Sequence, residues 1–124
     1  MNKRNVEIYL KDIIQAMEAI ENFVKGMDYE EFRNNDLVSS AVIRKFEIIG
    51  EATKNIPQEL RKKYPDIPWK TMAGFRDKLI HFYFGIKYEI VWDTIKLNLP
   101  ELKEKLRKII EDLRGKNERG SKNN

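Results

Sequence analysis

The sequence predicts an all-α fold, an antiparallel helical bundle of four long helices plus one or two short helices. Three observations carry that prediction. Apolar residues recur at three- and four-residue spacing through most of the chain. Gly and Pro number only 6 and 4, which suits helices better than a turn-rich sandwich. The 124 residues are 41% hydrophobic and 35% charged, enough for one buried core and too few for two domains.

The first helix is the clearest element. Val6, Leu10, Ile13, Met17, Ile20, Val24 and Met27 fall on one stripe, with Glu7, Lys11, Asp12, Glu18, Glu21 and Lys25 mostly between them. Gly26 and Asp28 weaken it near its end, and residues 29–35 read as a short turn or a helix extension. A second helix is expected from Asp36 or Ser39 to Asn55, with Leu37, Ala41, Phe46, Ile48, Ile49 and Ala52 on its apolar side. Gly50 inside it costs about 1 kcal/mol in propensity and is read as a site of close helix packing. Pro57 suits the first turn of a short helix ending near Tyr64. Pro65 and Pro68 force an extended link up to Trp69. A further helix should start near Lys70 to Ala73 and run through Phe84. Residues 88–97 are periodic again through Ile90, Val91, Trp92 and Ile95. Leu99-Pro100-Glu101 reads as a new helix start, carried on by Leu102, Leu106, Ile109, Ile110 and Leu113, with Gly115 as its stop.

These elements place the folded domain at residues 1–113 and leave 114–124 as a basic tail, expected to be disordered when unbound. The formal net charge is +4. The tail holds Arg114, Lys116, Arg119 and Lys122 against Glu118, a net +3, so residues 1–113 carry only +1. A large, uniformly basic nucleic-acid surface is not predicted, while a local basic site stays open. With no Cys and one His, disulfides, thiol nucleophiles and a multi-histidine zinc site are excluded. No apolar run approaches the ~18 residues of a membrane span. Glu7, Lys11 and Asp12 interrupt any signal-peptide core, so a cytoplasmic location is expected.

The densest chemistry lies in Arg76-Asp77-Lys78-Leu79-Ile80-His81-Phe82-Tyr83, which holds the only histidine. Asp77 and His81 are four apart, neighbours on a helix face, so the carboxylate can orient the imidazole and favour its charged form. Arg76 and Tyr83 are seven apart and nearly eclipsed. Arg76 and His81 are five apart, roughly 140° around a helix of ~3.6 residues per turn. They can flank one groove, or meet across a two-fold axis between two copies. The chemistry that suits these groups is metal-free RNA cleavage. His81 takes the proton of the ribose 2′-hydroxyl, and the Arg76 fork stabilises charge on the phosphoryl oxygens. Tyr83 can hydrogen-bond phosphate or stack on a base. Read as bare residues, the same side chains also fit structural roles.

Arg76, four residues, His81, one residue and Tyr83 form the R-x4-H-x-Y pattern, and here the chain resembles the HepT-like (DUF86) family of the HEPN superfamily. The likeness extends to Arg44-Lys45-Phe46-Glu47-Ile48-Ile49-Gly50-Glu51-Ala52 and Tyr64-Pro65-Asp66-Ile67-Pro68-Trp69. It continues through Tyr83-Phe84-Gly85-Ile86, Val91-Trp92 and Leu99-Pro100-Glu101-Leu102. It spans residues 6–113. The resemblance implies a helical homodimer with Arg76 and His81 catalytic in a cleft at the interface, Asp77 supporting them. It implies a metal-independent endoribonuclease, the toxin of a type VII toxin–antitoxin system. Its implied partner is an MntA-like nucleotidyltransferase antitoxin, which uses ATP to AMPylate Tyr83 and so silences the toxin, and with which the dimer can assemble into a larger complex. No cofactor or metal is implied for cleavage. Two other classes fit the same residues: a non-catalytic module that docks a nucleotidyltransferase or nucleotide, and a structural dimerisation protein.

Overall fold

Val6, Leu10, Ile13, Met17 and Ile20 are all buried, and they line one side of α1 (Lys3–Phe23). Each such side chain removed from water contributes about 1.5–3 kcal/mol, which is why the stripe dictates the packing. The computed structural model describes residues 3–75, 77 and 87–122, with side chains over 5–75, 77 and 87–115. Among the described residues there is no strand.

The chain turns after α1 at Gly26, whose φ of 79° is in the left-handed region, a conformation a residue without Cβ adopts at no steric cost. Asp28 then starts α2 (Tyr29–Asn34) with a reciprocal capping box: Glu31 N–H donates to Asp28 Oδ1 at 2.8 Å, and Asp28 N–H to Glu31 Oε1 at 3.2 Å. Residues 29–34 are therefore a separate helix, not an extension of α1. Asn35 caps α3 (Asp36–Lys54), accepting from Val38 N–H at 3.0 Å. Val42, Ile43, Phe46 and Ile49 carry the buried side of α3, and Gly50 is buried with them, in keeping with its reading as a close-packing residue.

Pro57 immediately precedes α4 (Gln58–Lys63), and Trp69 opens α5 (Trp69–Ala73). The helix expected through Phe84 begins here; Arg76 and residues 78–86 of it lie outside the described residues.

The C-terminal third differs from the sequence-based expectation. α6 (Tyr88–Asp93), a wider π-helical turn (Thr94–Asn98) and α7 (Leu99–Lys122) form one uninterrupted rod. Leu99-Pro100-Glu101 is thus inside a helix rather than at a new start. Two physical reasons converge on the π turn. Pro100 lacks an N–H and its ring crowds the carbonyl four residues back, and the turn before it is closed instead by Leu99 N–H bonding Thr94 O. The buried residues Val91, Ile95 and Leu99 are spaced by strict fours, which overshoots an α-helical face by about 40° each time. A wider turn takes up that drift before Leu102, Leu106, Ile109 and Leu113 return to mixed spacing. Gly115 is also not the stop: α7 runs on to Lys122. One Gly costs only about 1 kcal/mol in a helix already nucleated.

α1 packs against both α3 and α7. The ion pairs Glu7–Arg114, Glu18–Arg107 and Glu21–Lys103 descend along α7 as they ascend α1, so the two helices run antiparallel. Exposed pairs of this kind add little stability individually, but here they report register. Three helices are long among the described residues: α1, α3 and α7. None is long and apolar enough to cross a membrane.

Candidate functional site

Of the four predicted site residues, Asp77 is helical and exposed; Arg76, His81 and Tyr83 lie outside the described residues. What the structure does define is the chain that delivers the motif segment from both sides.

On the entry side, residues 64–68 form a braced link. Trp69 Nε1 donates to Tyr64 O at 2.9 Å, and Trp69 N–H donates to Ile67 O at 2.8 Å. Ile67 and Trp69 are buried, so the two prolines set an extended path while the two apolar residues hold it down. α7 pins the link twice. Tyr64 Oη donates to Asp112 Oδ2 at 2.7 Å, and Lys105 Nζ lies 3.5 Å from Asp66 Oδ2. Burial, then the hydrogen bond and charge of Asp112, push the Tyr64 phenol up to about 12, since each disfavours the phenolate. Beyond α5, Gly74 N–H bonds Lys70 O and Thr71 O, and the Phe75 ring meets Phe46 edge-on at 5.3 Å. Met72 is fully buried.

On the exit side an aromatic group fixes α6. Phe32 of α2 meets Trp92 at 5.3 Å and Tyr88 at 6.3 Å, and Tyr29 meets Trp92 at 6.4 Å. Lys96 Nζ sits 4.9 Å over Trp92. Such pairs contribute about 0.5–1.5 kcal/mol each beyond area burial. The motif segment is therefore joined at both ends to chain anchored in the core.

Three cavities lined by described residues lie on this scaffold. One of about 300 Å³ lies between α5 and the π turn, with Thr71, Phe75, Thr94, Asn98 and Lys105 among its walls; Lys105 is neutralised there by Glu101 and Asp66. A second, about 470 Å³, includes Asn5, Tyr9, Asn55 and Glu59. The third is an open groove of about 610 Å³ across α4 and α5, with Gln58, Arg61, Lys62, Trp69, Lys70 and Thr71 along it. Arg61 is fixed in place, donating from Nε to Ile56 O at 3.0 Å and from Nη2 to Thr53 O at 2.8 Å. The +1 average over residues 1–113 conceals the cation-rich stretch 54–70, of which Arg61, Lys62 and Lys70 line this groove; it is the local basic site that the sequence leaves open without placing. Among the described residues, no three His, Asp or Glu side chains converge as a metal site.

The pattern described as Ribonuclease HepT-like matches residues 13–109, most of the chain and the whole of the motif segment. The chain belongs to the HepT-like ribonuclease family. Its HepT-like relatives include two Methanocaldococcus jannaschii proteins. One, named "Putative RNase MJ0125", is 54% identical over 94% of this chain and 100% of its own length. The other, "Putative RNase MJ1216", is 52% identical over 95% of this chain and 98% of its own. A Thermococcus cleftensis protein named "Probable ribonuclease HepT" is 47% identical over 86% and 97%. No solved structure matches this HepT-like chain.

Proposed function

We propose that this HepT-like protein is the endoribonuclease toxin of a toxin–antitoxin pair, cutting RNA by internal 2′-hydroxyl attack without a metal. The observation that carries the reading is the placement of Arg76, His81 and Tyr83, in R-x4-H-x-Y spacing, inside the family match over residues 13–109. Relatives covering nearly the whole chain and named as RNases support the nuclease class.

The step balances without water. His81 accepts the 2′-hydroxyl proton as the 2′-oxygen attacks the adjacent phosphorus, a role suited to an imidazole titrating near neutrality. The P–O5′ bond breaks. The departing 5′-oxygen takes a proton from an imidazolium, supplied by His81 of a second copy across a dimer cleft. Arg76 stabilises the charge that grows on the phosphoryl oxygens, and Asp77 orients His81. The products are a 2′,3′-cyclic phosphate and a 5′-hydroxyl. DNA, lacking the nucleophile, is not cut.

Control falls to Tyr83. An MntA-like nucleotidyltransferase joins AMP from ATP to the phenolic oxygen, releasing pyrophosphate. The added phosphate is two residues from His81 and seven from Arg76, placed to neutralise the guanidinium and exclude substrate phosphate. The deciding experiment is cleavage of single-stranded RNA in EDTA by wild type and His81→Ala, with identification of product ends. Cyclic phosphate from wild type and none from His81→Ala is expected. Equal cleavage by the variant removes His81 from the mechanism, and a strict divalent-metal requirement removes the metal-free route.

A further inference from the structure

We infer that the groove across α4 and α5, lined by Arg61, Lys62, Lys70, Gln58 and Thr71, is a backbone track for single-stranded RNA leading to the motif segment. The inference rests on the nuclease reading for its choice of polyanion, but its own observations are separate.

The first is charge segregation. Residues 54–70 hold Lys54, Arg61, Lys62, Lys63 and Lys70 against Glu59 and Asp66, a net +3. Neither acid lines the groove. Asp66 pairs with Lys105, and Glu59 borders a different cavity. The groove wall carries three cations and no carboxylate. Among the described residues neither Lys62 nor Lys70 forms an ion pair, although both are exposed. Of the cavities described above, it alone is lined by cations without an acid.

The second is shape and rigidity. At about 610 Å³ and open to solvent along its length, the groove admits an extended strand rather than enclosing a small molecule. Arg61 is locked by two carbonyls, and Trp69 is only 5% exposed with its indole N–H already committed to Tyr64 O. Trp69 is therefore a wall, not a stacking platform. With no exposed aromatic face to stack bases, the groove reads phosphate, and its contribution is independent of sequence. The third is position. The groove reaches Lys70 and Thr71 of α5, and Lys70 stands six residues before Arg76 in the sequence, so the groove and the motif share one stretch of chain.

The test uses the full chain and a single-stranded 2′-O-methyl RNA of mixed sequence, which has no free 2′-hydroxyl and is bound without being cut. Affinity is measured against salt for wild type, for Lys62→Gln/Lys70→Gln, and for Lys11→Gln/Lys25→Gln on α1 and the turn that follows it, which removes equal charge elsewhere. Two lost phosphate contacts lower the slope of log affinity against log salt by about 1.4, and the control pair leaves it near wild type. Between about 50 and about 200 mM salt the wild type then loses roughly sevenfold more affinity than the groove variant. Equal slopes for the groove and control pairs overturn the track, as does a wild type that binds no RNA. A wild type that binds with the predicted slope change but does not cut native RNA defeats the nuclease reading and leaves the track standing.

Discussion

Tyr64→Phe removes one oxygen and, with it, the tether from the entry link to α7. The hydroxyl donates to Asp112 Oδ2 at 2.7 Å. A hydrogen bond to a charged acceptor contributes about 1.5–3 kcal/mol, but this pair is partly exposed, and solvent screening brings the expected loss to about 1 kcal/mol. A melting entropy near 2.1 cal/mol/K per residue gives about 0.26 kcal/mol/K for 124 residues, so the variant should melt about 4 °C lower. Asp112→Asn should cost a similar amount, and the double variant less than the two losses together, a coupling of about 1 kcal/mol. All four proteins are compared at one concentration, because self-association shifts the midpoint. The pH dependence is an independent check. The folded phenol is raised to about 12 from 10, by burial first and by Asp112 second. Its contribution is therefore fully present below pH 10 and is lost as pH rises from 10 towards 12. The stability gap between wild type and Tyr64→Phe should close over that window, and an ultraviolet titration of Tyr64→Phe should lack one late-ionising phenol that the wild type shows. Strict additivity of the two single variants, or a gap that stays constant across the window, would refute the tether.

Two further outcomes are expected, the first from the packing and the second from the proposed function. Leu106→Ala empties a fully buried position on α7 and should destabilise by about 2–5 kcal/mol, read as a shift of the denaturation midpoint at unchanged slope; a loss under about 1 kcal/mol would mean the α1–α7 seam is not close-packed. Arg76→Ala should reduce cleavage by at least about a hundredfold while weakening RNA affinity only a fewfold, because its charge is used mainly in the transition state. Equal losses in affinity and rate constant would reassign it to binding.

How much of this was legible in the sequence depended on whether a feature is local or averaged. The stripe from Val6 to Met27 is a spacing, and its part from Val6 to Ile20 became the buried side of α1, while Val24 and Met27 fall in the link beyond the helix end at Phe23. Asp28 and Glu31 already spell a capping box three residues apart, yet the polar run around them reads as turn until the reciprocal bonds are seen. Pro100 misled for a definite reason. Proline marks first helical turns far more often than interiors, and only the strict fours of Val91, Ile95 and Leu99 betray the wider turn that lets it stay inside a rod. The motif was legible as a list of residues five and seven apart. One straight helix sets Arg76 and His81 about 140° apart, so spacing alone does not decide between their flanking one groove and their meeting across two copies.

Charge shows the same contrast, and here the average concealed a design. A folded part at +1 argued against a basic surface, but that figure sums the +3 of residues 54–70 with acids carried elsewhere. Taking out this segment and the +3 tail leaves the remaining residues at −2. A nuclease built this way need not be basic all over. On the proposed reading, the mildly acidic remainder repels RNA from most of the surface, while the groove, whose Lys62 and Lys70 form no ion pair among the described residues, attracts it. Field focusing of that kind raises encounter at one place without the stability cost of crowding like charges over a small bundle. It also makes the association strongly salt-dependent while leaving the fold, held by α1, α3 and α7, nearly indifferent to salt. Raising ionic strength should therefore weaken RNA capture well before it moves the melting temperature.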